Sequence, residues 1–322
     1  MGMTRAVLLD RETLDIGDLD FTGLESSVDE LVTYDQTSAH DAAARIGDAR
    51  VAIVNKVVLS ADVIEACPAL ELICVLATGV NNIDLEAAQR CGVTVVNCRG
   101  YGTEAVSQHA IAMMLALHTR LVDYHQAVRA GRWEQAPHFC FLDYPIRELA
   151  GRMLLVVGHG ELGAAVAHKA ECLGMRVQIA ERPGAEIVRP GRVAFEKAIA
   201  ETDVATIHCP LTQATHDLFN ARVFGRMKPD AMIINTARGG IVNESDLADA
   251  LRRGTIAGAG MDVLTEEPPK NGNPLLAADI PNLIMTPHSA WGSRTARQRI
   301  VSQTCENITA WKDQAPVRVV TG

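Results

Sequence analysis

The chain has 322 residues, enough for about two domains of ordinary size. Hydrophobic residues make up 48% of it and aromatics only 4%, so its cores must be aliphatic, as under a helix-covered parallel sheet. A net charge of −9 argues against a general nucleic-acid surface, and no apolar run reaches the ~18–20 residues of a membrane span.

Residues 6–9 form a predicted buried strand that ends at Asp10. A looped acidic stretch follows, then strands at 30–34 and 51–54 with a helix at 42–46 between them. Ser60 is the expected cap of a short helix that ends before Pro68. A strand at 72–76 runs into the small-residue turn Ala77-Thr78-Gly79-Val80, and the next strand is at 93–96. Strands alternating with helices imply an α/β unit on a parallel sheet. Residues 103–130 read as one long helical segment closed by Gly131, with its Ala-, Leu- and Met-rich first half buried between domains.

The next strand, 153–157, leads into Gly158-His159-Gly160-Glu161-Leu162-Gly163, a Gly-x-Gly-x-x-Gly turn. A helix of good helix formers follows and closes at Gly174. Gly158 permits the tight turn, Gly160 lets the backbone approach a pyrophosphate, and Gly163 lets helix and strand pack closely. The new helix aims its free amides and positive dipole end at the phosphates. A second strand, 176–180, ends in Glu181, 18 residues beyond Gly163, where an acid can hold the adenosine ribose hydroxyls. Glu181 favours NAD, whereas the adjacent Arg182 keeps NADP possible through guanidinium–phosphate pairing.

Further strands at 204–208, 231–235, 257–261 and 283–285 complete the second unit, and an amphipathic helix at 294–311 ends the chain. Ligands bind at the carboxyl ends of strands in such sheets. Arg238, Asp262 and His288 stand at those ends, with Glu267 five residues past Asp262. Arg can clamp a carboxylate with a bidentate fork, His can give or take a proton at a hydroxyl oxygen, and Glu can orient the imidazole. Convergence of the three suggests a carbonyl-reducing site.

Eight cysteines, at 67, 74, 91, 98, 140, 172, 209 and 305, form no Cys-x-x-Cys. Buried free thiols in a reducing cytoplasm are expected, with no metal site; Cys74 and Cys172 lie in apolar segments. The N-terminus carries no signal-peptide core, which again suits a cytoplasmic protein with neither membrane nor nucleic-acid partners.

These residues resemble the D-isomer-specific 2-hydroxyacid dehydrogenases over most of the chain. The likeness rests on the glycine turn, on Asn235-Thr236-Ala237-Arg238-Gly239, on residues 258–263 followed by Glu267-Pro268-Pro269, and on Thr286-Pro287-His288-Ser289-Ala290-Trp291. The resemblance implies that Arg238 binds substrate, Glu267 supports the histidine and His288 is the acid/base. It implies cofactor contacts at Thr103, Glu161, Leu162, Cys209, Pro210, Thr215, Thr236, Ala237 and Asp262 beside the glycines. It implies a substrate-carboxylate site at Thr78 and Gly79, with Asn55 near the same mouth. The implied fold is two-domain α/β. A Rossmann-type doubly wound sheet at 101–291 joins a smaller flavodoxin-like substrate domain, discontinuous at 1–100 and 292–322, in a homodimer. Residues 99–103, 145–151 and Ala290-Trp291 most resemble the glycerate dehydrogenase, or hydroxypyruvate reductase, branch, which implies a 2-oxo acid reduced with NAD or NADP. Two other functions remain open on this fold: a dinucleotide-sensing corepressor-like protein, and an enzyme acting on formate or phosphite. The formate enzymes carry Gln before the site histidine, where this chain has Pro287.

Overall fold

Short runs of Val, Ile and Leu become strands wherever both faces can be covered, and the chain uses them twice. The computed structural model describes residues 3–320, which cluster into two compact units. One contains the residues up to Gly102 together with those from Gly292 onward, and the other is Thr103–Trp291.

The first unit runs β1 (Arg5–Leu8), α1 (Thr22–Ser26), β2 (Glu30–Thr33), α2 (Ala42–Ile46), β3 (Val51–Val54), α3 (Ala61–Glu65), β4 (Leu72–Val75), α4 (Leu85–Arg90) and β5 (Thr94–Val96). Its sheet is all parallel in the order β2-β1-β3-β4-β5, which is the flavodoxin-like arrangement. Every residue of β3 and β4 is buried, as a strand with helices on both faces requires.

The second unit runs α5 (Thr103–Thr119), α6 (Leu121–Arg129), β6 (Met153–Val157), α7 (Glu161–Cys172), β7 (Arg176–Ile179), α8 (Phe195–Glu201), β8 (Val204–Ile207), α9 (Ala221–Phe224), β9 (Met232–Asn235), α10 (Glu244–Arg252), β10 (Gly258–Met261) and β11 (Leu283–Met285). Its parallel sheet has the order β11-β10-β9-β8-β6-β7. A single parallel bridge, Ala180 to Val193, adds the stub of a further strand beyond β7. With that stub the order is that of a doubly wound dinucleotide-binding sheet. Helix α5 packs close to this sheet because Gly260 is small: a Cβ there would meet Met113 Sδ at 3.0 Å and Ile234 Cδ1 at 2.9 Å.

The last helix, α11 (Arg294–Lys312), is capped by Ser293, whose hydroxyl accepts from Ala296 N at 3.2 Å. Nearly buried Arg297 forks onto Asp18 at 2.7 and 2.8 Å and donates to Leu14 O at 3.1 Å. Asn307 donates to Asn97 O at 3.0 Å. These bonds tie α11 to the first unit, although it follows the second in sequence.

Three local expectations change. The segment 103–130 is two helices, because Arg147 N takes the His118 carbonyl at 2.8 Å and Arg120 turns left-handed at φ 54°. Ser60 makes no side-chain cap, whereas Asn220 caps α9, a helix that its short length hides in the sequence. Cys172 is exposed rather than buried, as is Cys91, because each falls at the solvent side of a helix end; Cys67, Cys74 and Cys98 are buried. Gly174 closes α7 as expected: at φ 81° it donates to Glu171 O while Met175 N reaches Ala170 O, a Schellman closure.

Candidate active site

The glycine turn separates what the protein needs from what a ligand needs. A Cβ on Gly158, at φ +95°, would lie 2.5 Å from Cys209 N, and one on Gly163 would lie 2.0 Å from Gly158 O. Both glycines are therefore demanded by the protein's own packing. A Cβ on Gly160 would meet nothing within 4 Å. The space at Gly160 opens onto the start of α7, which has no side-chain cap and so leaves its first-turn amides for an outside acceptor. The turn fits the pyrophosphate of a dinucleotide. At the same end of the sheet, Thr103 donates to Glu161, joining two expected cofactor contacts at the starts of α5 and α7.

The other expected contacts divide. Leu162 and Ala237 are half-buried, and Thr236 has a buried hydroxyl without a hydrogen-bond partner among the described residues. Burial pushes the Cys209 thiol up to about 11, so it is neutral. The Thr215 hydroxyl is spent on Pro210 O at 2.7 Å and on Thr212 N at 2.8 Å, and so shapes its own loop. Asn55 lies buried in the first unit, and its amide donates to Thr13 Oγ1 at 2.9 Å. The buried Asp10 holds that loop by accepting from the amides of Asn55, Lys56 and Val57. The Thr78 hydroxyl donates to Cys98 O at 2.9 Å. Among the described residues no acceptor takes the amides of Thr78, Gly79 or Val80.

Glu181 differs from its expectation. It is buried, and four donors fill its carboxylate: Arg182 N at 2.8 Å and Arg189 Nη2 on Oε1, Arg189 N at 3.1 Å and Arg189 Nε at 2.8 Å on Oε2. A carboxylate has about four acceptor positions. No position is left for the two ribose hydroxyls while Arg189 is seated. The guanidinium beside it holds the carboxyl well below the usual range.

Three neighbouring strands carry the remaining groups. Met261 pairs with Asn235 on one side and Met285 on the other, so β9, β10 and β11 end flush. The buried Asn235 shapes the first loop, donating to Arg238 O at 2.8 Å and accepting from Ala237 N at 3.0 Å. Arg238 is extended and exposed, and its guanidinium forms no ion pair among the described residues. A Cβ on Gly239 would lie 1.9 Å from the Leu264 carbonyl carbon. Only glycine lets the Arg238 loop lie against the strand-end loop that carries Glu267.

Glu267 Oε1 accepts from Leu264 N at 2.8 Å, and Oε2 lies 2.7 Å from His288 Nδ1. The carboxylate thus fixes the ring and leaves Nε2 as the working nitrogen. His288 itself is left-handed, φ 51°, a conformation that costs about 1–2 kcal/mol in an L-residue. Its amide pins it, donating to Asp262 O at 2.7 Å and to Thr286 O at 3.0 Å. Trp291 Nε1 takes the His288 carbonyl at 2.9 Å.

The buried carboxylate of Asp262, an expected cofactor contact, accepts from Thr286 Oγ1 at 2.5 Å, Ser289 N at 2.9 Å and Ala290 N at 3.0 Å. It is the anchor of the histidine loop. His109 of α5, absent from the sequence reading, extends this anchor, with Nε2 at 3.0 Å from Thr286 Oγ1. A histidine within the mostly apolar stretch 105–117 was the available signal.

An imidazole–carboxylate pair can move a proton to or from a carbonyl oxygen, and an unpaired guanidinium on the adjoining strand end can hold a carboxylate. With a dinucleotide turn on the same sheet, this is the equipment of a dehydrogenase for 2-hydroxy acids. The profile of the D-isomer specific 2-hydroxyacid dehydrogenase NAD-binding domain matches residues 111–290. The chain is 41% identical over 317 residues to a glycerate dehydrogenase of Methylorubrum extorquens, covering 98% of each. It is 38% identical over 322 residues to a hydroxypyruvate reductase of Blautia hydrogenotrophica, covering 98% of this chain and 99% of that one. An NADPH-dependent glyoxylate/hydroxypyruvate reductase of Sinorhizobium meliloti, solved with NADP and malonate, superposes with a TM-score of 0.82 at 27% identity, covering 99% and 97%. The chain belongs to the D-isomer specific 2-hydroxyacid dehydrogenase family, whose members are NAD(P)-dependent oxidoreductases.

Proposed function

We propose that this protein reduces hydroxypyruvate to D-glycerate and glyoxylate to glycolate. The observation that carries the reading is the Glu267–His288 pair at 2.7 Å, with Arg238, which forms no ion pair among the described residues, on the loop packed against that of Glu267. Arg238 holds the substrate carboxylate; within the first unit taken by itself, the open amides of the Thr78–Val80 turn are also able to donate to a carboxylate. His288 protonates the carbonyl oxygen from Nε2 while Glu267 holds Nδ1 and stabilises the charged ring. A bound dihydronicotinamide supplies the hydride. The residues 1–100 with 292–322 are proposed as the substrate domain and 101–291 as the dinucleotide domain.

The names of the full-length relatives support this substrate choice. The site is expected to hydrogen-bond the 3-hydroxyl of hydroxypyruvate, so that pyruvate, which puts a methyl group there, leaves polar groups unpaired, whereas glyoxylate has no third carbon to place there. Steady-state kcat/KM for hydroxypyruvate, glyoxylate and pyruvate, followed by cofactor absorbance, tests it. Pyruvate should be the poorest of the three. Equal efficiency on pyruvate and hydroxypyruvate would remove the substrate assignment and leave the dehydrogenase chemistry standing.

We also propose that the protein is a homodimer in the cytoplasm. Leu121, Trp133, Phe139, Leu142 and Ile146 are all exposed within one stretch of the second unit, an apolar surface suited to a second copy. Among the described residues no helix is long and apolar enough to cross a membrane, and all eight cysteines are free. Sedimentation of the wild type and of Phe139→Glu tests the dimer: the substitution should yield monomers.

A further inference from the structure

The loop after β7 is tied back onto the strand it leaves. Glu181 N donates to Val193 O at 2.8 Å, and Val193 N donates to Ile179 O at 2.9 Å. That closure fixes residues 182–192 at the strand end where a dinucleotide's adenosine ribose binds. The loop carries Arg182, Arg189 and Arg192 against Glu181 and Glu186. Arg192 is partly spent on Ala180 O at 3.2 Å. The Arg182 guanidinium is exposed and has no hydrogen bond or ion pair among the described residues. Arg189 gives Nε and Nη2 to Glu181, whereas its Nη1 has no acceptor among the described residues and half of the side chain faces solvent.

An acid at this position selects NAD in two ways: it accepts the 2′-hydroxyl, and its charge repels a 2′-phosphate. Both effects are cancelled here. The acceptors of Glu181 are filled, and its charge is paired with a guanidinium. What faces outward is the unspent edge of Arg189 beside the free guanidinium of Arg182. Planar guanidinium edges match phosphate oxygens in geometry and in charge.

We propose that Arg189 is a cofactor-specificity residue: seated on Glu181, it converts the ribose-acid position into an anion site that, with Arg182, takes the 2′-phosphate of NADPH. The proposal rests on the dinucleotide-binding reading of the Gly158–Gly163 turn. It reverses the preference that Glu181 alone predicts.

The test is titration calorimetry on the full-length protein with 5′-AMP and 2′,5′-adenosine diphosphate, which differ only in the 2′-phosphate. The wild type should bind the bisphosphate about tenfold or more tightly than 5′-AMP, the size of one charge-assisted bidentate contact. Arg189→Ala should abolish that preference, and 5′-AMP should bind as well as before or better, because Glu181 is then free to accept the ribose hydroxyls. Arg189→Lys, which keeps the charge but loses the fork, should fall between. Glu181→Gln, which leaves Arg189 unneutralised, should strengthen bisphosphate binding. The NADPH to NADH ratio of kcat/KM should move in parallel across the four proteins, and thermal melting will check that each is folded. Equal affinity of the wild type for the two fragments would overturn the proposal, as would a ratio unmoved by Arg189→Ala. Failure of both fragments and both dinucleotides to bind would overturn the underlying dinucleotide reading instead.

Discussion

Two carboxylates at the ends of strands in the same sheet have opposite fates. Glu181, after β7, is buried and saturated by four donors, three of them from Arg189. Glu267, beyond β10, gives one oxygen to a backbone amide and the other to an imidazole. Both are acids at the carboxyl end of a parallel sheet, where position alone would make either a ligand group. The difference is the company each keeps. Where an arginine returns on the same loop, the acid's charge is consumed by the protein. Where a histidine arrives from the next strand and the nearby Arg238 is left unpaired, the charge is available for chemistry.

That contrast makes the β9–β11 end the one whose variants should cost activity. His288→Ala should reduce kcat/KM by about 10²–10⁴, the usual worth of a positioned acid/base, with little change in melting temperature. Glu267→Gln should cost less, because glutamine keeps the hydrogen bond to the ring and loses only the charge. Near-normal turnover by His288→Ala would mean that the Glu267–His288 pair takes no part in the chemistry.

Gly239→Ala sharpens the comparison from the side of packing. Its Cβ would press on the Leu264 carbonyl carbon, 1.9 Å away, and would drive the Arg238 loop from the Glu267 loop. A loss of about 1–3 kcal/mol is expected by chemical denaturation, with kcat falling more than the loss of folded protein explains. An unchanged kcat in the folded fraction would show that the two loops need not touch.

The smallest effect lies between the two regions, at the end of β8. His208 Nε2 sits 2.8 Å from Thr206 Oγ1, and burial pushes its imidazole down to about 4. The unfolded chain therefore binds more protons than the native one between pH 4 and the ordinary value of 6.5. By linkage, the neutral imidazole contributes fully to stability above that value, and the contribution is lost as pH falls through the window. Melting temperature should decline across the window, less steeply in His208→Gln. Identical slopes would assign the decline to other groups.

The sequence by itself determined the elements and the chemistry that depends on local spacing. Gly158, Gly160 and Gly163 announce a strand–turn–helix, because only glycine tolerates that turn and that close approach. Arg238, Glu267 and His288 were legible because each follows a strand, and parallel strands deliver their ends to one edge. Tertiary structure decided what those residues touch. Asp262 also anchors the histidine loop, a role its spacing does not show, because its donors come from residues 286–290, across a strand pairing that no local pattern records. His109 entered the same network from a helix 177 residues away from Thr286. Glu181 and Arg189 are only eight residues apart, yet the loop between them has no periodicity. Its closure rests on the bridge from Ala180 to Val193. Spacing along a strand or helix is set by backbone geometry and can be read from one sequence. The pairing of a charge across a loop depends on where the chain returns, and only the folded chain fixes that.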